Sequence, residues 1–118
     1  MTYIDGFVVP VPNEKKQAYR DLAARAAEIF KEHGALRVVE CWGDDVPDGK
    51  LTDFRRAVQA TADETVAFSW VEWPDKATRD GAWPEMMKDE RMQPDPSHQP
   101  FDDKRMFWAG FTQIVELA

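Results

Sequence analysis

A single cysteine, Cys41, leaves the chain without an internal disulfide and without the ligands of a cysteine-only zinc site. Histidine is nearly as scarce. His33 and His98 are the whole supply and stand far apart, a poor start for zinc or haem ligation. No metal or cofactor is therefore expected. Basic residues are outnumbered, 15 Lys and Arg against 22 Asp and Glu, for a formal net charge of −7. Lys and Arg never run beyond two in a row. Binding a phosphate backbone needs clustered cations, so a nucleic-acid partner is not expected. Long apolar runs are missing too. None approaches the ~18 residues of a membrane span. Residues 1–12 carry Asp5 and end in Pro10-Val11-Pro12, with no basic start. These absences point to a cytoplasmic protein with no membrane partner.

What remains is the composition of one globular domain over residues 1–118, 43% apolar and 31% charged. Tyr3 to Val11 reads as a strand closed by prolines, with Tyr3, Asp5, Phe7 and Val9 on one face. Asn13 is placed to cap a long helix to about His33, with an apolar stripe through Tyr19, Leu22/Ala23, Ala26 and Ile29/Phe30. Gly34 suits the position just past that helix. Leu36 to Trp42 is a second strand, and Thr52 is placed to cap a short helix after a polar loop. Thr65 to Trp73 is a third strand. A second long helix opens at Pro74-Asp75, and Pro84 predicts a break or kink near Ala82. Pro94, Pro96 and Pro100 stiffen a loop in which His98 is solvated. Arg105 to Glu116 is the last strand, where Gly110 marks a bulge or a close backbone approach.

Strand–helix–strand twice over predicts an α+β, ferredoxin-like βαββαβ sandwich: a four-stranded antiparallel sheet with helices on one face. The third and fourth strands carry large apolar groups on both faces. The uncovered face therefore calls for a partner, and a homodimer through the sheet face is expected.

Several segments together resemble the YbaA-like family. They include Asp5-Gly6-Phe7-Val8-Val9-Pro10-Val11-Pro12, His33-Gly34-Ala35-Leu36 and Glu40-Cys41-Trp42-Gly43-Asp44-Asp45-Val46-Pro47. Gly49-Lys50-Leu51-Thr52-Asp53-Phe54, Phe68-Ser69-Trp70 and Pro100-Phe101-Asp102 continue the match over nearly the whole chain. The resemblance implies a dimeric α+β barrel. It implies no activity, because that family is one of unknown function and fold alone does not decide chemistry. The chain departs from the family pattern at Trp83-Pro84 and Trp108-Ala109, where smaller or more polar residues and a second glycine are expected.

Three residues are candidates for catalysis. Asp5 and Glu40 are carboxylates on strands, each flanked by strand formers, and each costs free energy to bury unless paired. On neighbouring strands they could form a carboxylate pair for acid–base work. The alternative is structural: Asp5 paired with Arg37 or Arg105, and Glu40 with an arginine. His33 is the third, a proton-transfer group by chemistry or a cation favoured at a helix C-terminus. Trp42, Ser69, Arg79 and Arg105 are candidate ligand contacts, the arginines as fork donors to an anion. Ser69 has no nucleophile-elbow glycines around it. Asp44, Asp45 and Asp48 lack the spacing of a calcium loop and read as a solvated turn. Cys41 reads as a small core residue. The function expected is binding or transformation of a small apolar or anionic molecule between sheet and helices. The alternative is a non-catalytic interaction or regulatory homodimer.

Overall fold

The computed structural model describes residues 2–93 and 99–118, so His98, Pro94 and Pro96 lie outside the described residues. The elements are β1 (Tyr3–Pro12), α1 (Lys16–Glu32), β2 (Arg37–Trp42), α2 (Phe54–Ala57), β3 (Glu64–Trp73), α3 (Lys76–Met87) and β4 (Phe107–Thr112). One sheet has the order β2-β3-β1-β4, with every neighbouring pair antiparallel. This is the ferredoxin-like arrangement the element order predicted.

Register assigns the faces. Asp5 lies opposite Val71 and Gly110, and Glu40 opposite Ser69. Odd-numbered residues of β1 and β3 therefore share one face with the even-numbered residues of β2 and β4. That face carries the helices. Ile29 and Phe30 of α1 pack with Val71 and Trp73 of β3 and with Ala82 and Met86 of α3. Tyr19 and Ala23 pack with Val9, Val11 and Ala67. Burying a side chain of this size stabilises the fold by roughly 1.5–3 kcal/mol.

The other face is not wholly open. Val58, just beyond α2, covers Val8 and Val66, so the β2–β3 connection shields one end. Phe54 of α2 packs edge-to-face on Phe68, while Ile4, Val39, Trp70, Phe107 and Phe111 remain on that face without helix cover, and Phe111 keeps 56% of its surface exposed.

Four local expectations differ from the structure. Asn13 does not cap α1; a 3₁₀ turn, Asn13–Lys15, precedes the helix and the Asn13 side chain bonds Thr65 instead. Asp53, not Thr52, caps α2, accepting from the Arg56 amide at 2.7 Å. α3 runs unbroken through Gly81 and Pro84. Both residues are exposed, and Ala82 and Met86 are buried on the opposite side, so packing outweighs the roughly 3 kcal/mol that an interior proline costs. β4 ends at Thr112 because its partner Tyr3 begins β1 and leaves no strand beyond it. Gly110 makes the expected close approach without a bulge: a Cβ there would lie 2.8 Å and 2.9 Å from Tyr3 ring carbons.

Glu64 ties the connections together. Its carboxylate accepts from both terminal nitrogens of Arg105 at 2.7 Å and from the Thr61 amide at 2.8 Å. Arg105 also donates to Asp102 and to the Gln59 carbonyl. The Arg105 guanidinium, more than the Thr61 bonds, holds Glu64 down at about 2 from an ordinary 4.5. The folded value is depressed, so the stability it adds is complete above about 4.5 and is lost as pH falls toward about 2. In thermal denaturation, Glu64→Gln is expected to melt below wild type at pH 7, with the gap closing between those two pH values. A gap that stays constant would contradict this role.

Candidate functional site

Two polar clusters sit on the helix-bearing face, and they differ in kind. The first surrounds Asp5, which is 0% exposed. Its Oδ2 accepts from Trp73 Nε1 and Trp83 Nε1, each at 3.0 Å. Arg79 donates from one terminal nitrogen to Oδ1 at 2.8 Å and from Nε to both oxygens at 3.1 Å. A carboxylate has about four acceptor positions, and these are filled. Arg79 is itself flanked by the Tyr3 and Trp108 rings, 5.3 Å and 5.7 Å from its guanidinium carbon. Its hydrogen bonds to Asp5 hold it protonated well above the ordinary guanidinium range. The geometry is that of a buried structural ion pair. The partner is Arg79, brought from α3, rather than Arg37 or Arg105. Arg37 faces Glu72 and Arg105 faces Glu64.

The second cluster is Tyr19, Glu40 and Ser69. Tyr19 Oη on α1 donates to Glu40 Oε1 on β2 at 2.7 Å. Ser69, buried on β3, lies directly opposite Glu40 in the sheet. Glu40 is exposed on an edge strand, and its carboxylate meets Tyr19 in a partly buried hydrogen bond. Partial burial pushes Glu40 above its ordinary 4.5, partly offset by the hydrogen bond from Tyr19 and by the nearby Ser69. Burial and the adjacent Glu40 charge push the Tyr19 phenol up as well.

These three groups form the polar end of a cavity of about 490 Å³ between the sheet and α1. The remaining wall is mostly apolar: Val38, Val71, Phe30, Trp83, Met92 and Phe101 contribute. The volume is in the range of small-molecule sites. Tyr19 and Glu40 also line a second, outer pocket of about 310 Å³ against Lys16, Arg20 and Trp42. The hydrogen-bonded pair is thus a shared wall.

A family described as "Protein of unknown function (DUF1428)" matches residues 2–103. The chain belongs to this family. It is 58% identical over 116 residues to "Uncharacterized protein YbaA" of Escherichia coli K12, covering 98% of this chain and 99% of the relative. The same identity and coverage hold for the Shigella flexneri relative of that name. Among solved structures, a dimeric ferredoxin-like protein from an uncultured marine organism superposes with a TM-score of 0.63 at 9% identity, covering 99% of this chain and 100% of that one. That likeness concerns the fold alone.

The anticipated Asp5–Glu40 carboxylate pair does not form. Asp5 is on β1 and Glu40 on β2, with β3 between them, and Asp5 has no acceptor position to spare. Glu40 meets a phenol rather than an arginine. Among the candidates, Glu40 and Ser69 come together in the cavity. Trp42 packs at its outer side with Lys16 over the ring at 5.2 Å. Arg79 belongs to the Asp5 cluster and Arg105 to Glu64. His33 stands at the C-terminus of α1, half-buried and outside the cavity lining. Cys41 is exposed, because alternation turns it to the uncovered sheet face, not into the core. Among the described residues, no group of three or more His, Cys, Asp and Glu side chains comes together to hold a metal ion.

Tyr19 is the residue that patterning hid. It falls in the apolar stripe of α1, where its ring belongs, but a buried tyrosine hydroxyl needs a partner, and that need is the signal. The two departures from the family pattern also meet: Trp83 and Trp108 stack with centroids 5.5 Å apart at 23°.

Asp5→Asn removes the charge that Arg79 and two indoles are aimed at. We expect a loss of about 3–5 kcal/mol in urea unfolding, typical of breaking a buried pair. A loss below about 1 kcal/mol would mean Asp5 is not the structural anchor described.

Proposed function

We propose that the protein is a cytoplasmic homodimer that binds a small, mostly apolar molecule, one per subunit, with Glu40, Tyr19 and Ser69 as the polar contacts. The cavity of about 490 Å³ with a carboxylate and a phenol at one end is the observation that carries this reading. Arg79 and Arg105, the fork donors expected for an anion, are each engaged by an internal carboxylate, and the cations that line the cavity are Arg25 and Arg91 instead.

Dimerisation rests on the uncovered face. Phe68, Phe107 and Phe111 are 41%, 47% and 56% exposed there. Beyond β4, Ile114, Val115 and Leu117 are almost fully exposed. Apolar patches of this kind mark contact surfaces. The marine ferredoxin-like neighbour is described as dimeric. Among the described residues, no helix is long and apolar enough to cross a membrane.

The uncharged fluorophore N-phenyl-1-naphthylamine tests the cavity, and sedimentation tests the dimer. Wild type is expected to sediment as a dimer and to bind one probe per subunit. Val38→Trp, which fills the cavity, should abolish binding without changing the mass. Phe111→Glu should give monomer. A wild-type monomer overturns the dimer. Binding that survives Val38→Trp places the probe elsewhere and overturns the cavity reading. A wild-type dimer that takes up no probe is the non-catalytic interaction dimer.

A further inference from the structure

The cavity's polar end holds a combination that simple binding does not need. Glu40 is a carboxylate on an edge strand, shared by a mostly apolar cavity and an outer pocket, with a phenol 2.7 Å from one oxygen and Ser69 on the facing strand. A hydrogen-bond acceptor alone would serve to orient a ligand. A carboxylate in an apolar cavity is a stronger base than one in water, and a neighbouring neutral phenol is a hydrogen-bond donor that stays protonated. Glu40 also lines the outer pocket with Lys16 and Arg20. The same carboxylate therefore faces both the cavity and an outer pocket on the edge-strand side, through which a captured proton can exchange with solvent.

We propose that the cavity carries out proton transfer at a carbon adjacent to a carbonyl group, a ketone–enolate interconversion that exchanges the α-hydrogen of a small apolar ketone, with Glu40 as base and Tyr19 as hydrogen-bond donor to the carbonyl oxygen. This rests on the cavity-binding reading above. The Glu40 carboxylate takes the proton from the α-carbon. The C–H electron pair becomes the new C=C bond, and the carbonyl π pair moves to oxygen. Tyr19 releases its bond to Glu40 and donates to that oxygen, with Ser69 beside it. Return of a proton from Glu40 to carbon restores a ketone. No oxidant, reductant or co-reactant enters, and the proton count closes within the site. Positioned general bases contribute about 10²–10⁴-fold.

The experiment uses 2-tetralone, an apolar ketone with an acidified C–H, in deuterated buffer with the intact protein. Proton NMR follows loss of the α-hydrogen signal. Saturation transfer on the same sample reports binding. Wild type is expected to exchange the α-hydrogen faster than buffer. Glu40→Gln should lower the catalysed rate by about 100-fold or more while the ketone still binds. Tyr19→Phe should also retain binding and slow exchange by about 100-fold, as loss of an oxyanion donor does. Glu40→Asp, which keeps the carboxylate but withdraws it, should fall between wild type and Glu40→Gln and guards against a folding artefact. Binding without catalysed exchange, or exchange unaltered in Glu40→Gln, overturns the proton-transfer assignment and leaves cavity binding standing. A cavity that takes the naphthylamine probe but not the ketone overturns it too. Failure to bind either molecule overturns both readings.

Discussion

A carboxylate sealed from water must have every acceptor position matched, and Asp5 imposes that condition on three elements at once. Its donors come from the end of β3 through Trp73 and from α3 through Arg79 and Trp83. The docking of α3 is therefore directional: two indole nitrogens and a guanidinium must converge on one residue near the start of β1. Hydrophobic packing of Ala82 and Met86 attracts the helix to the sheet but does not select its rotation. The matched charge does. The condition spreads outward, because Arg79 is partly desolvated and needs a surround. Tyr3 and Trp108 supply it with their ring faces. Tyr3 then lies where a side chain on the adjacent β4 residue would stand, and position 110 is held to glycine.

The second carboxylate on the same face has the opposite surroundings. Asp5 is enclosed by donors that stabilise its charge, whereas Glu40 has a phenol, a serine and otherwise apolar walls. The sheet separates the two by a strand. One face thus holds a carboxylate committed to structure and another left basic, at the two ends of the same layer. The difference comes from what each meets across the sheet–helix gap, since both are acidic residues on strands flanked by strand formers.

That difference explains how much the sequence disclosed. Strand and helix order follows from periodicity and turn residues, and these sufficed for the β2-β3-β1-β4 antiparallel sheet. Register followed only in part. Alternation placed Tyr3, Asp5, Phe7 and Val9 together, but the partners of Asp5 lie 68 to 78 residues away on β3 and α3. No local pattern encodes such a meeting. Residues 113–116 read as strand because Ile114 and Val115 are strand formers, yet a strand needs a neighbour and β1 has already ended. Tyr19 passed as core because helical spacing reports which face a ring lies on and is silent about where its hydroxyl points. Arg79 and Arg105 were legible as fork donors. Their carboxylates were not, since each fork closes across elements distant in sequence.

Tyr19 and Glu40, with Ala23, Ala27 and Val38, line both the cavity and the outer pocket, and one phenol–carboxylate hydrogen bond forms part of that shared wall. Most binding sites are bounded by packed side chains that move only at the cost of a cavity. Here part of the boundary is a single hydrogen bond between polar groups, a contact that another polar group can replace without opening a void, on the edge-strand side of the sheet.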